Sequence, residues 1–187
     1  MDALRSDAAR NRSRILAAAR DFVTRNEPLA LNAVARAADV GVGTVYRHFA
    51  TVEELEETLV WERFDDLADL LDGAGPAHLE RVLEATFTLL AEDALFEKVT
   101  SRHQPALEQT ATLLTALMDR LGVLLDRVRA EGALREEIDA AGVLTLICGV
   151  AHAVRNADLA VGSPQSRLLL RVVLDGLRGR ANEPALS

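Results

Sequence analysis

GVGTVYRHF, residues 41–49, running directly into ATVEEL, residues 50–55, is the stretch on which the reading of this chain turns. Glycine is a poor helix former, yet Gly41 and Gly43 stand where a short apolar helical pattern begins. A phenol, a guanidinium and an imidazole follow within one turn, at Tyr46, Arg47 and His48. Behind them Thr51 and Glu54 have the S/T-x-x-E spacing of a capping box, which starts another helix at about Val52. Such a segment is either a turn packed on a core or a surface shaped to touch something polar, with the backbone open to close approach at the glycines.

The flanking residues bear on that choice. In RNRSRILAAARDFVTRNE, residues 10–27, Ile15, Leu16, Ala19, Phe22 and Val23 form one apolar stripe at helical spacing, and Pro28 stops it. LNAVARAADV, residues 31–40, gives a short second helix with Leu31, Val34, Ala35 and Ala38 inward. The pattern breaks at Asp39–Gly41 and resumes for about two turns. Two short helices joined so tightly read as a helix-turn-helix unit, whose second helix enters the major groove of duplex DNA. Gly41 and Gly43 then bring its backbone close to the duplex.

The remaining sequence is longer helices. The helix opened by Thr51 runs to Leu71 and ends at Gly73. His78 to Leu90 forms another. From Pro105 to Glu131, Leu107, Ala111, Leu114, Met118, Leu121, Leu125 and Val128 step by four and three, as in bundle packing. Asp139 caps a further helix with no charge between Ala140 and Ala153. Ser163-Pro164 opens a last one with proline at its first position. No strand is credible, so the chain reads as all-α. The predicted division is a DNA-binding domain at 1–50, a connecting helix at 51–73 and a helical ligand-binding and dimerisation domain at 74–187.

Bulk properties narrow the class. The chain has 187 residues, enough for one or two domains with a sizeable core. No apolar run reaches the ~18 residues of a membrane span, and MDALRSDAARNRSR lacks the apolar core of a secretion signal. The single cysteine, Cys148, lies in the apolar run VLTLICGVA, which points to a buried thiol in a reduced, cytoplasmic protein. The net charge of −8 is uneven: residues 1–50 hold eight basic against five acidic residues (+3), and the rest hold thirteen against twenty-four (−11). That asymmetry suits a basic module on an acidic body. No metal, cofactor or catalytic site is expected. None of the four histidines follows a glutamate at the three-residue spacing of di-metal bundles, and no zinc-protease, nucleophile-elbow or phosphate-loop motif occurs. The carboxylates Glu53, Glu54, Glu56 and Glu57 read as a solvated first turn favoured by the helix dipole.

These residues resemble the DNA-binding domain of the tetracycline-repressor (TetR) family. The family's opening pattern R-x-x-I-L-x-A-A-x-x-x-F is met by Arg12, Ile15, Leu16, Ala18, Ala19 and, with one position of slack, Phe22 or Val23. Its centre, G-V-S-x-G-T-x-Y-x-H-F, is met by Val40, Gly43, Thr44, Tyr46, His48 and Phe49. The likeness covers about residues 10–60. Three positions depart from it: Asp39 replaces the turn glycine, Gly41 the serine after Val40, and Val52 a lysine that reaches a DNA phosphate.

The resemblance implies a homodimeric regulator, a repressor, on a palindromic double-stranded operator, released by a small, mostly apolar effector. It implies phosphate contacts from Tyr46 and His48, and Thr44 on phosphate or a thymine methyl. Val42 and Gly43 would face base edges. Arg47 suits either a guanine or a phosphate, and Asn32 either DNA or a helix cap. Arg10, Arg12 and Arg14 suit either a DNA-contacting arm or a solvated helix end. Dimerisation would use the 140–153 helix, with Gly142 and Gly149, and the last helix. Effector lining is expected from Phe87, Leu114, Leu117, Met118, Leu121, Cys148 and His152, with His103 or Asn156 adding a polar contact. The alternative is a helical adaptor or orphan regulator without a ligand.

Overall fold

The computed structural model describes residues 2–179, with side chains from Asp7 onward. Among these residues the regular structure is α-helical, with one single-turn 3-10 segment and one isolated bridge between Leu134 and Arg178. The fold is all-α. The described residues fall into two compact units: the chain through Glu62 together with Gln104–Thr110, and Arg63–His103 together with the chain from Ala111 on.

The first unit holds α1 (Asp2–Thr24), α2 (Leu31–Ala37), α3 (Val42–His48) and α4 (Val52–Leu59). One apolar cluster joins them: Ile15 and Ala19 from α1, Val34 and Ala35 from α2, Val45 and Phe49 from α3 and its end, and Leu55 from α4. The link between α2 and α3 is a Schellman turn. Val40 N–H donates to the Ala35 carbonyl (3.1 Å) and Asp39 N–H to Arg36 (3.2 Å). Asp39 occupies the left-handed position at φ 50° that glycine usually fills. Arg14 Nη2 holds it there, donating to both its carbonyl oxygen and its Oδ2 at 3.0 Å.

Thr51 caps α4 by accepting the Glu54 N–H at 3.2 Å, while Glu54 Oε2 accepts from Ala50 N–H at 2.6 Å. The stretch expected as one helix from Thr51 is two, because α4 stops at Val60 and α5 (Trp61–Asp72) follows. Two β-branched residues, Thr58 and Val60, lie at the break, and the Thr58 hydroxyl bonds back to the Glu54 carbonyl at 2.9 Å, which loosens helices. The acidic cluster is not wholly solvated either. Glu56 and Glu57 are buried. Glu57 spans to the inserted segment, Oε1 accepting from Ala106 N–H (2.7 Å) and Oε2 from Leu107 N–H (2.9 Å).

The second unit holds most of α5, α6 (Leu79–Glu92), α7 (Ala94–Thr100), α8 (Glu108–Ala130), α9 (Ala140–Asn156) and α10 (Pro164–Leu177). The expected caps form: Gly142 N–H on Asp139 Oδ1 (2.8 Å) and Ser166 N–H on Ser163 Oγ (3.2 Å). The short α7 was not foreseen. Asp93 caps it through Phe96 N–H at 2.9 Å, and Phe96 meets Phe64 edge-on with ring centroids 5.1 Å apart.

The left-handed turn yields a test. Asp39→Gly should leave the urea midpoint nearly unchanged, because relief at φ 50° offsets loss of an exposed ion pair. Asp39→Val should cost about 1–2 kcal/mol, since a β-branched residue is strained there.

Candidate nucleic-acid interface and effector cavity

In α3 the buried residues are Val45 and, just past its end, Phe49, a spacing of four that turns one face inward. Gly43 and Arg47 occupy the opposite face, Tyr46 lies on its flank and Val42 starts the helix; all four are exposed, Tyr46 at 49%. Thr44 and His48 lie at its edge, half-buried. Arg47 is laid along the helix, its Nε donating to the Gly43 carbonyl (3.1 Å) and its Nη2 to Thr44 Oγ1 (3.2 Å). A Cβ on Gly43 would meet nothing within 4 Å, so glycine there answers to something outside this chain or to nothing. Asn32 is exposed on α2, and the N-cap of that helix is Ala30, which leaves the Asn32 amide without a capping role. The seven residues expected at DNA are thus gathered on the surface of α2 and α3.

The basic side chains of α1 are partly committed within the chain. Arg12 stacks over the Phe49 ring with its guanidinium carbon 5.4 Å from the centroid, and Arg14 holds Asp39. Arg10 pairs with Asp7 at 3.1 Å. All three sit on the helix rather than ahead of it.

The second unit encloses an apolar cavity. Its walls are Phe64, Leu67 and Leu71 of α5, Val82, Leu83, Thr86 and Leu90 of α6, Phe96 and Thr100 of α7, Leu114, Leu117, Met118 and Leu121 of α8, and Leu144 and Ile147 of α9. About 60 Å³ of it is open to the centre of a water molecule, room for roughly four to six water-sized spheres. The lining contains no charged side chain. Its two hydroxyls have already given their protons, Thr86 Oγ1 to Val82 (2.9 Å) and Thr100 Oγ1 to Phe96 (3.0 Å). The walls therefore offer lone pairs but no donor.

Four of the nine residues expected to line such a cavity do so: Leu114, Leu117, Met118 and Leu121. Five lie elsewhere. Phe87 is buried one residue past Thr86, a 100° turn of α6 that points it at a separate groove beside α10. Cys148 is likewise one residue past Ile147. His103 is exposed before α8. His152 and Asn156 form a polar chain: Asn156 Nδ2 lies 2.8 Å from His152 Nε2, and His152 Nδ1 lies 3.1 Å from Glu97 Oε1. An amide donating to Nε2 leaves the imidazole proton on Nδ1, facing the carboxylate. Arg155 completes the group at 3.2 Å from Glu97 Oε2. Sequence reading missed the α5, α6 and α7 walls, although Phe64, Leu67 and Leu71 carry the helical spacing that could have found them. Among the described residues no three His, Cys, Asp or Glu side chains gather to hold a metal, and no helix is long and apolar enough to cross a membrane.

Comparison with known proteins places this geometry. Residues 76–179 match the family model for the C-terminal domain of SbtR-like transcriptional regulators of the TetR class. A TetR regulatory protein from Mycobacterium vanbaalenii is 30% identical over 94% of this chain and 99% of its own, with a TM-score of 0.53. A TetR transcriptional regulator from Streptomyces coelicolor is 31% identical over 91% and 99%, also at 0.53. FadR from Bacillus subtilis, solved in complex with stearoyl-CoA, shares the fold at 21% identity over 88% and 98%, with a TM-score of 0.62. No curated protein matches the chain.

The thiol beside this group has a checkable chemistry. Burial, and then the Glu97 charge, push the Cys148 pKa above the usual thiol value. The thiolate therefore forms only at higher pH. Alkylation of the folded protein by iodoacetamide at pH 8.5 should run at least tenfold slower than in urea, and the gap should narrow as pH rises.

Proposed function

This chain belongs to the tetracycline-repressor (TetR) family of transcriptional regulators, and from that premise we propose that it is a repressor binding a palindromic duplex operator as a homodimer and leaving it when the cavity fills. The observation that carries the reading is the outward face of α3. A helix that turns Val45 and Phe49 into a core and offers Val42, Gly43, Tyr46 and Arg47 to solvent is built to be read against a major groove. In this reading the Tyr46 phenol and the His48 imidazole bond phosphate oxygens, Thr44 touches phosphate or a thymine methyl, and Val42 and Gly43 pass along base edges. Arg47 and Asn32 reach phosphates or base edges beside them.

An operator with two half-sites needs two copies, and α9 and α10 offer a surface for pairing. Leu146, Leu168, Leu169 and Val172 are exposed there, Leu168 and Val172 at 61% and 64%. Gly149 is open to close approach, whereas Gly142 is explained locally, since a Cβ would press on Ile138 at 3.0 Å. The effector follows from the cavity walls. They hold no charge and no free donor, so a carboxylate, phosphate or ammonium would be buried unpaired at a cost of several kcal/mol. The ligand is an uncharged, hydrocarbon-rich small molecule.

Selection from a random duplex pool at moderate salt should enrich an inverted repeat. On that duplex Tyr46→Ala should raise Kd at least tenfold while leaving the dimer intact. Leu168→Glu with Val172→Glu should give a folded monomer by sedimentation and a Kd raised at least a hundredfold. For the cavity, 1-decanol should displace the uncharged fluorophore N-phenyl-1-naphthylamine, and decanoate and decyltrimethylammonium should fail to at tenfold higher concentration. Equal displacement by decanoate would put a cation in the walls where none is seen.

A further inference from the structure

Two helices that wall the cavity begin in the first unit. α5 starts at Trp61 and α8 at Glu108, and both continue into the second unit, where Phe64 and Leu67 face Leu114 and Leu117 across the same space. Their starting ends are fastened together. Trp61 Nε1–H donates to Thr110 Oγ1 at 3.0 Å, and Thr110 is fully buried. Just ahead of α8, the buried Glu57 carboxylate accepts the Ala106 and Leu107 N–H groups at 2.7 and 2.9 Å. An anion at a helix start meets its unpaired amides and the positive end of its dipole, so this grip is firm and directional.

The cavity is small in this form. An occupant of ten or more carbons needs more than a few water-sized spheres of room, so its walls must part. Helices tied at one end and parted along their length lever against the tie. We propose that the Trp61–Thr110 hydrogen bond and the Glu57 grip form the coupling element through which cavity occupancy reaches the DNA-contacting helix. The path beyond it is short: Glu57 lies two residues from Leu55, which shares one core with Val45 and Phe49 behind α3. The inference rests on the effector reading above, and it names side chains that touch neither effector nor DNA.

The test uses full-length wild type, Trp61→Phe and Thr110→Val, each of which removes one polar atom and keeps the volume. Occupancy is read by displacement of N-phenyl-1-naphthylamine with 1-decanol, and transmission by Kd for the selected duplex with and without saturating 1-decanol. The expected result is a tenfold or greater loss of DNA affinity in wild type. Both variants should bind 1-decanol within twofold of wild type, bind the duplex within threefold in its absence, and lose less than threefold on adding it. Variants that release DNA as fully as wild type would overturn the coupling role and leave effector release standing. Wild type that binds 1-decanol and keeps its DNA affinity would overturn effector release, and the coupling role with it. Emission of Trp61, the chain's single tryptophan, gives a second readout: it should shift on 1-decanol binding in wild type, and an unchanged spectrum would count against movement at the tie.

Discussion

A helix of seven residues cannot hold its shape alone in water, and α3 is that short. Its conformation depends on Val45 and Phe49 being seated against Ile15, Val34 and Leu55. Everything the outer face can do follows from that anchoring, because the same 100° step that buries Val45 and Phe49 presents Gly43, Tyr46 and Arg47. The turn before it is fixed as carefully. Asp39 adopts a backbone that costs a non-glycine residue about 1 kcal/mol, and Arg14 supplies two hydrogen bonds in return. An arginine that sequence reading could assign to DNA is thus engaged in setting the angle between α2 and α3.

The second unit solves a different problem, a space bounded by side chains with nothing polar to spare. Threonines on α6 and α7 are small enough to leave room and dispose of their protons within their own helices. Polar groups that could have served a charged ligand are turned away. Glu97, His152, Arg155 and Asn156 gather outside the cavity, the carboxylate facing both the imidazole and the guanidinium. Burial, with the Glu97 charge adding to it, raises the Cys148 thiol pKa above its usual value. Selectivity for uncharged ligands in this picture comes from the absence of partners rather than from any contact made.

The first unit was largely legible in the sequence because its signals are local: the apolar stripe around Ile15 and Phe22, the capping residue Thr51, and the four-residue spacing of Val45 and Phe49. The caps at Asp139 and Ser163 were readable for the same reason. What escaped was tertiary. Glu57 looks like its neighbour Glu53 in sequence, and only the inserted segment 104–110, some fifty residues later, makes it a buried anion. Two β-branched residues and a back-bonded hydroxyl lie at the break at Val60, too weak a signal against a strong helical stripe. The cavity needed helix phase to within a residue, which is why Ile147 faces it and Cys148 does not.

Charge explains why a protein of net −8 can approach DNA at all. The acidic excess lies after residue 50, and Debye screening at physiological salt confines its repulsion to about 8 Å, while the first fifty residues carry +3. Several of those arginines are already paired or stacked, with Arg12 on Phe49, Arg14 on Asp39 and Arg20 on Glu62 at 3.3 Å. Few cations remain to release counterions from the backbone. In the proposed reading, affinity then depends on neutral donors such as the Tyr46 phenol and on two copies binding together. A dimer of the proposed kind, its grip divided in this way, would lose much of its affinity when either half is displaced, so a small shift would be enough to matter. Weak electrostatics would in that reading suit control by a ligand.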